Sequence, residues 1–182
     1  MQAHSNIEKF FKNMTEIPQF DHSIYNKAKE LQKTLTKPIG SLGKLEDLAT
    51  WMAGWQRIIK PVINNAHCLI FAGNHGIASN TVSAYPPEVT AQMVKNFKNG
   101  GAAINQLCDV AGLKLSIIPM ELDNPTKDFS KELAMEKTEV ISAMEIGFKS
   151  VPADCDLLIL GEMGISNTTA ASAISCAIFD ES

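Results

Sequence analysis

The stretch DLLILGEMGISNTT, residues 156–169, changes character halfway along and decides how the chain folds. Its apolar half predicts a buried strand, its glycines predict a turn, and the alanine-rich segment AASAISCAIF that follows predicts a helix. A strand that leads through a tight turn into a helix is the building unit of α/β proteins. The first N–H groups of such a helix lack helical acceptors, so the turn suits an anion.

Two interpretations of this turn stay open on the pattern alone: a phosphate cradle, and a plain strand-to-helix connection with an N-cap. Ser166, Asn167 and Thr168 can each cap the helix or bond a phosphate oxygen. The acid Glu162 suits a sugar hydroxyl or a cationic ring better than a phosphate. The stretch matches neither G-x-x-x-x-G-K-[ST] nor G-x-G-x-x-G, so neither a Walker-type NTPase nor a dinucleotide fingerprint is supported.

Two other apolar segments resemble the strand half of this stretch. They are AHCLIFAG at residues 66–73 and LKLSIIP at residues 113–119, and helical patterns separate all three. Between the first two, Pro-Pro precedes a helix, Gly-Gly interrupts it and Gly112 closes its second piece. The segment 131–148 predicts a further helix. We therefore expect an α/β fold with a parallel sheet.

The N-terminal third predicts two helices. Residues 23–35 place apolar side chains on one stripe, and Lys-Pro then ends the helix. A second apolar stripe recurs at three and four residues and predicts an amphipathic helix that runs to about Arg57. Its members are Leu42, Leu45, Leu48, Met52 and Trp55. Together the two helices predict a small helical layer.

Bulk properties narrow the function classes. The chain has 182 residues, with 45% hydrophobic and 20% charged residues and a formal net charge of −4, which is typical of a soluble globular protein and makes nucleic acid an unexpected partner. The four cysteines are scattered without metal-ligand spacing and predict reduced, mostly buried thiols. No signal-peptide pattern or run of ~20 apolar residues occurs, so we expect no membrane association and a cytoplasmic location.

A second polar stretch follows the first predicted strand. Asn74 and His75 open it, and His75 is either a general acid or base or, as histidines at such positions more often are, an anchor of its loop. Further on, Tyr85, Gln92 and Met93 line a pocket for a flat aromatic ligand or are ordinary helix-packing residues.

A third candidate is the segment TKPIGSLGKLE, residues 36–46. Gly40, Ser41 and Gly43 form a turn between Lys37 and Lys44, which suits a phosphate or a carboxylate. The alternative is a helix-helix connection capped by Ser41, and the composition favours that alternative.

Taken in order, the three segments resemble the nicotinate-nucleotide-dimethylbenzimidazole phosphoribosyltransferases of cobalamin (vitamin B12) biosynthesis. KPIGSLGKLE is similar to that family's K-P-x-G-S-L-G-x-L-E signature, and AGNHGIASNTVSAYPPEVTAQMV with GGAAINQLC to its histidine-glycine segment and the helices that follow. GEMGISNTTAASA is similar to its G-E-x-G-x-x-N-T-T loop. The resemblance extends over about residues 23–179.

The resemblance implies a fold and an activity. The fold is a Rossmann-like three-layer core on a parallel sheet, with residues 61–182 as the nucleotide-binding core and residues 1–60 as a helical layer of a small domain. The implied reaction transfers the phosphoribosyl group of nicotinate mononucleotide to 5,6-dimethylbenzimidazole, with inversion, and gives α-ribazole 5'-phosphate and nicotinate. No metal or redox cofactor is implied, and members of the family are homodimers.

Site residues are carried over position by position. The resemblance places five residues in the nucleotide and phosphate site: Glu162, Gly164, Ser166, Asn167 and Thr168. On the benzimidazole side it places Ser83, Tyr85, Gln92 and Met93. The loops that support the site contain Gly40, Ser41, Gly43, Asn74 and His75.

This chain departs from the family pattern at several of these positions. Tyr85 and Met93 stand where some members have serine and glutamine, which favours an apolar, aromatic contact with the lower base. Asn74 stands where others carry aspartate, and Ser166 where glycine or alanine is usual.

Length is the larger departure, since members are usually about twice as long. The resemblance puts the general-base glutamate in a C-terminal part that this chain lacks, so no catalytic residue is expected within it. We therefore expect an N-terminal portion, with its core cut short on the C-terminal side and little transferase activity. Two alternatives stay open: a non-catalytic binding fragment or subunit of a split enzyme, and an unrelated doubly wound hydrolase that uses His75.

Overall fold

The computed structural model describes Lys12 and residues 18–180. The chain divides into two compact units, Met1–Asn64 and Asn65–Ser182. Within the described residues, none of the helices has the length and apolar character needed to cross a membrane.

The first unit contains helices α1, His22–Gln32, and α2, Lys44–Gln56, which pack against each other. The side chain of Asp21 caps α1 by accepting the N–H of Ile24 at 2.9 Å. Helix α1 ends at Gln32, three residues before the predicted end at Leu35. Helix α2 ends as predicted, with Arg57 in the left-handed conformation of a C-cap.

Helix α2 buries the face opposite to its apolar stripe. Thr50, Ala53 and Gly54 are its buried residues, and a Cβ at Gly54 would overlap the ring of Phe20. Small side chains let the neighbouring groups approach α2 closely, which the sequence pattern does not reveal. The predicted helix is confirmed, but most of the stripe that predicted it is exposed: Leu42, Leu45, Leu48 and Trp55.

The second unit is built on three parallel strands. Strand β1 is Ala66–Gly73, β2 is Lys114–Met120 and β3 is Leu157–Met163, and β1 lies in the middle of the order β2-β1-β3. A 3₁₀ turn and four helices connect or follow these strands: Gly76–Asn80, α3 Glu88–Lys98, α4 Ala103–Ala111, α5 Lys137–Ser150 and α6 Asn167–Phe179. The predicted α/β fold with a parallel sheet is confirmed.

Both faces of the central strand are covered. Cys68 and Ile70 point to one face and pack with Phe97 of α3 and Cys108 of α4. On the other face Leu69 is 1% exposed. Burial on both sides explains why β1 is a continuous apolar run and not an alternating one.

Strand β3 is longer than its apolar run. It includes Gly161, Glu162 and Met163, which the sequence pattern assigned to the turn. Gly161 lies opposite Ile70 in the register, and a Cβ there would collide with the Ile70 side chain. The glycine therefore serves close packing within the sheet, and the connection to α6 is only three residues long.

The strand order reverses at β1, and we call the space outside the carboxyl ends of β1 and β3 the crevice. The chain passes from β1 to β2 on one side and then crosses back to β3 on the other. In open parallel sheets ligands bind outside the carboxyl ends of the strands at such a reversal. Here those ends are Gly73 of β1 and Met163 of β3, directly before the two polar loops singled out in the sequence.

Two other boundaries differ from the sequence-based prediction. Helix α5 begins at Lys137, six residues later than predicted, because Glu139 accepts the Glu136 N–H at 2.6 Å and closes a capping box there. Residues before it form an irregular loop. In that loop Asp128 accepts hydrogen bonds from Ser130 and from Asn80.

Candidate functional site

The connection between β3 and α6 consists of Gly164, Ile165 and Ser166. Gly164 has no room for a side chain, because a Cβ would overlap the carbonyl oxygen of Gly73 and lie 3.1 Å from the Nε2 atom of His75. The close approach fixes the connection against the end of β1. A glycine at this position is therefore a packing requirement at the crevice.

Thr90 holds the connection from a third side. Its Oγ1 atom accepts the N–H of Ile165 at 3.1 Å, and Thr90 itself is 0% exposed. Sequence analysis missed this residue, because one threonine within a predicted helix carries no pattern. Its position three residues after Pro87, in the first turn of α3, is the one signal that the sequence offers.

Ser166 adopts the left-handed conformation, with φ of 70°, at the N-cap of α6. Its side chain makes no capping hydrogen bond, so of the two interpretations of this residue the side-chain N-cap is wrong. Ser166 is 6% exposed, and its Oγ atom has no hydrogen-bond partner in the described part of the chain. Buried hydroxyl groups are nearly always hydrogen-bonded, which makes Ser166 a candidate for contact with a bound group.

The acid and amide of the motif form one chain of hydrogen bonds. The Nδ2 atom of Asn167 donates to Oε2 of Glu162, and Oδ1 of Asn167 accepts the N–H of Thr168 at 2.7 Å. Asn167 therefore connects the end of β3 with the first turn of α6. The structure brings together Glu162, Asn167 and Thr168, as the sequence motif suggested.

The loop after β1 is tied to the loop after β2. Asn74 donates from Nδ2 to the carbonyl of Leu122 at 2.9 Å, and its own carbonyl accepts the N–H of Thr126 at 3.2 Å. The Oδ1 atom of Asn74 is buried and, among the described residues, has no partner. An aspartate could not donate to Leu122, so this contact depends on the amide that this chain carries.

His75 lies between the two loops. Burial lowers the pKa of its imidazole, and the nearby carboxylate of Glu162 opposes that shift. The ring approaches Gly164, and the backbone of His75 forms a parallel bridge with Thr126. The position is that of a loop anchor that also faces the crevice, and the neutral imidazole is favoured.

The four residues assigned to the benzimidazole side differ in burial. Tyr85 is 65% exposed, and its N–H donates to Oγ of Ser83 at 3.3 Å. Gln92 is exposed. Met93 and Met163 of β3 are partly buried, and both pack against the core cluster.

The segment at residues 36–46 belongs to the first unit and is a helix-helix connection. Nζ of Lys37 lies 2.6 Å from Oε1 of Glu46, and the two side chains are 13% and 17% exposed. The hydrogen bond from Lys37 and another from the Leu42 N–H lower the pKa of Glu46. Because Lys37 is paired with Glu46, its charge is not available to an anion, and this argues against an anion site here. The N-cap of α2 is Gly43, so the predicted cap at Ser41 is wrong.

All four cysteines are free. Cys68 and Cys108 are buried, and burial together with the neighbouring Cys108 thiol raises the pKa of Cys68 to about 11. These two are inert core thiols, whereas Cys176 is exposed.

Over Lys12 and residues 18–180, no group of three or more His, Cys, Asp or Glu side chains could hold a metal ion.

Residues 17–182 match the sequence model of a phosphoribosyltransferase family. The match covers most of the chain, so the chain belongs to this family. Its relatives include nicotinate-nucleotide-dimethylbenzimidazole phosphoribosyltransferases from Cereibacter sphaeroides, 52% identical over 90% of this chain and 48% of the relative, and from Mesorhizobium japonicum, 53% identical over 81% and 44%. The family resemblance seen in the sequence is thus confirmed.

A solved structure agrees with this membership. The crystal structure of the Thermus thermophilus nicotinate-nucleotide-dimethylbenzimidazole phosphoribosyltransferase superposes with a TM-score of 0.82 at 32% identity, over 88% of this chain and 55% of that one. The Rossmann-like core is therefore confirmed, and the hydrolase alternative has no support. The chain spans about half the length of the curated relatives that it matches.

Proposed function

We propose that this chain forms the nucleotide-binding part of an enzyme that transfers the phosphoribosyl group of nicotinate mononucleotide to 5,6-dimethylbenzimidazole. The products are α-ribazole 5'-phosphate and nicotinate, for assembly of the cobalamin nucleotide loop. The observation that carries the proposal is the fixed connection at the crevice, where the buried Ser166 hydroxyl, beside the N-terminus of α6, has no partner among the described residues. A phosphoribosyl ligand supplies hydroxyl groups and an anion for such a place.

The chemistry of the substrates makes positioning the main task of this part. The pyridinium of nicotinate mononucleotide is a good leaving group. The protein therefore has to hold the attacking nitrogen of the imidazole ring in line with the bond that breaks, and to accept a proton from the second ring nitrogen. We assign the nucleotide to Glu162, Gly164, Ser166, Asn167 and Thr168, and the benzimidazole to the segment 83–93. The base is assigned to the half of the relatives' length that this chain does not span.

A non-catalytic binding module is the second candidate. Its support is that two contacts fixing the connection lie within residues 65–180: Gly164 against Gly73, and Ile165 with Thr90. Such a unit binds a ligand without turnover. A subunit of a split enzyme has the same property until its partner is added.

Calorimetry with each substrate alone, together with chromatographic assay for α-ribazole phosphate, tests the two candidates. We expect nicotinate mononucleotide to bind the purified chain and no product to form. Product formation would show that a base exists within this chain, and absence of binding by both substrates would refute the nucleotide-site proposal. Asn167→Ala removes the link between Glu162 and α6 and should weaken binding, whereas Asn99→Ala, at the exposed end of α3, is the matched control.

Assembly, location and domain roles belong to the same proposal. We assign a homodimer in the cytoplasm, with residues 1–60 in a small helical domain and residues 61–182 in the nucleotide-binding core. The exposed stripe of α2 supports association, because monomers rarely leave large apolar patches in water. Sedimentation velocity over a range of concentrations measures the oligomeric state directly.

A further inference from the structure

Thr90 connects two segments that the proposed function assigns to different substrates: it belongs to one and contacts the other. It belongs to residues 83–93, the segment assigned to the benzimidazole, and it lies in the first turn of α3, where its own N–H donates to the Pro87 carbonyl at 3.0 Å. Its side chain accepts the N–H of Ile165, in the connection assigned to the nucleotide. The two residues are 75 positions apart in the sequence.

The hydrogen bond between Ile165 and Thr90 is buried. Thr90 is 0% exposed and Ile165 is 8% exposed, so water does not replace a lost acceptor easily. An unsatisfied buried N–H is costly, which favours movements that keep the bond intact. The branched Cβ of threonine also restricts its side chain to few rotamers, so the position of Oγ1 follows the backbone of α3.

Gly164 holds the connection at another point. Gly164 packs against the carbonyl of Gly73, at the end of the central strand, without space for a Cβ. One side of the connection is therefore fixed to the sheet and the other to α3. A shift of the first turn of α3 changes the position of Ile165 and, directly after it, of Ser166, whose buried hydroxyl lacks a partner in the described residues.

We infer that Thr90 is a positioning residue that couples the two substrate subsites. A benzimidazole that orders the start of α3 also orders the nucleotide connection through this bond, so the second ligand binds to a site already ordered by the first. Linkage makes the effect reciprocal: each ligand raises the affinity for the other by the same factor. The inference rests on the proposed function, because both subsites come from it.

Paired calorimetric titrations of the purified chain measure this factor. The dissociation constant for nicotinate mononucleotide is determined alone and with saturating 5,6-dimethylbenzimidazole, in the wild type and in Thr90→Val and Thr90→Ser. In the wild type we expect the benzimidazole to tighten nucleotide binding by at least about 5-fold. Valine keeps the shape but removes the acceptor, so the ratio should fall to about 1; serine keeps the acceptor and should retain most of the ratio.

Thr50→Val is the matched control. Thr50 is also a buried helical threonine, 4% exposed, but it lies in the first unit and its hydroxyl donates to the carbonyls of Glu46 and Asp47. The variant should lose stability without any change in the coupling factor. This separates coupling from a general loss of stability, which lowers both affinities together.

The outcomes distinguish the inference from the proposal beneath it. If the wild type binds neither ligand, the proposed function fails and the inference with it. If the wild type binds both ligands independently, or if Thr90→Val keeps the wild-type ratio, only the inference is overturned. Should Thr90→Val not fold, hydrogen exchange of the Ile165 amide decides in the wild type: protection must rise on addition of the benzimidazole, and unchanged protection overturns the inference.

Discussion

Some residues at the crevice have no space for a larger side chain, and others have buried polar atoms without a hydrogen-bond partner among the described residues. Gly164 has no room for a methyl group, while the buried Ser166 hydroxyl and the Asn74 Oδ1 atom have no acceptors or donors among the described residues. Buried polar atoms without a protein partner are unusual, and they support the ligand site that we propose. The sequence revealed the glycines but not which of them was a packing requirement.

Gly164→Ala should destabilise the second unit. The added Cβ overlaps the Gly73 carbonyl, and a backbone neighbour cannot move aside cheaply, so we expect a loss of about 1–3 kcal/mol in the free energy of unfolding. Gly147→Ala is the control, because Gly147 lies in α5 with nothing within 4 Å of its would-be Cβ. It should gain about 0.5–1 kcal/mol, as alanine does over glycine in helices. Urea unfolding measures both, and equal effects would contradict the packing argument.

His75 should give the protein a pH-dependent stability. Burial lowers its folded-state pKa below the ordinary 6.5, so in the acidic range the unfolded state takes up the proton first. Stability due to the neutral ring is complete above pH 6.5 and is lost as the pH falls through 6.5 towards the lowered pKa. His75→Gln should flatten this part of the stability curve, measured by urea unfolding between pH 8 and pH 5. A curve as steep as that of the wild type would disprove the assignment to His75.

At the scale of elements, apolar runs predicted all three strands, because both faces of the central strand are buried and the runs are short. The predicted end of β3 was wrong because Gly161 was interpreted as a turn residue, although it packs against Ile70. Helix α2 was predicted by its apolar stripe, yet it buries Thr50, Ala53 and Gly54. The periodicity of apolar residues indicates that a helix has two different faces. Which face is buried depends on the element that packs against the helix.

The Lys37–Glu46 pair should stabilise the connection between α1 and α2 in a pH-dependent way. The pKa of Glu46 is lowered from 4.5, so its contribution is present above pH 4.5 and is lost as the pH falls through the lowered folded-state pKa. Glu46→Gln should therefore be less stable than the wild type at neutral pH, and the difference should shrink in acid. Thermal unfolding monitored by circular dichroism tests this.

Glu30→Gln is the control for that measurement. Glu30 pairs with Lys33 at 2.7 Å, but the two side chains are 69% and 57% exposed, and exposed pairs contribute little. The variant should unfold like the wild type at every pH. If it lost as much stability as Glu46→Gln, burial of the Lys37–Glu46 pair would not explain the effect.

At the scale of the whole molecule, the described sheet has an apolar edge. Strand β3 pairs with β1 on one side, and its Leu160 is 66% exposed. Helix α6 follows directly and buries none of its residues. In the described part of the chain it exposes three large apolar side chains: Ile174, Ile178 and Phe179.

This edge should make the purified chain self-associate. Exposed strand edges with apolar side chains are templates for pairing, so sedimentation velocity should show association that increases with concentration. Leu160→Lys should reduce it, because a charge on an edge strand opposes pairing. Val110→Lys, at an 88% exposed position of α4, is the control and should leave association unchanged. Equal reduction by both variants would point to charge alone and not to the edge.

The bond between Thr90 and Ile165 also has a consequence for biosynthesis. Its two ends are synthesised 75 residues apart, so a nascent chain exposes Thr90 at the start of α3 long before Ile165 is synthesised. Contacts of such separation carry a loop-closure cost and form late in folding. Translation must therefore deliver β3 to the side of β1 before the connection of residues 164–166 takes shape.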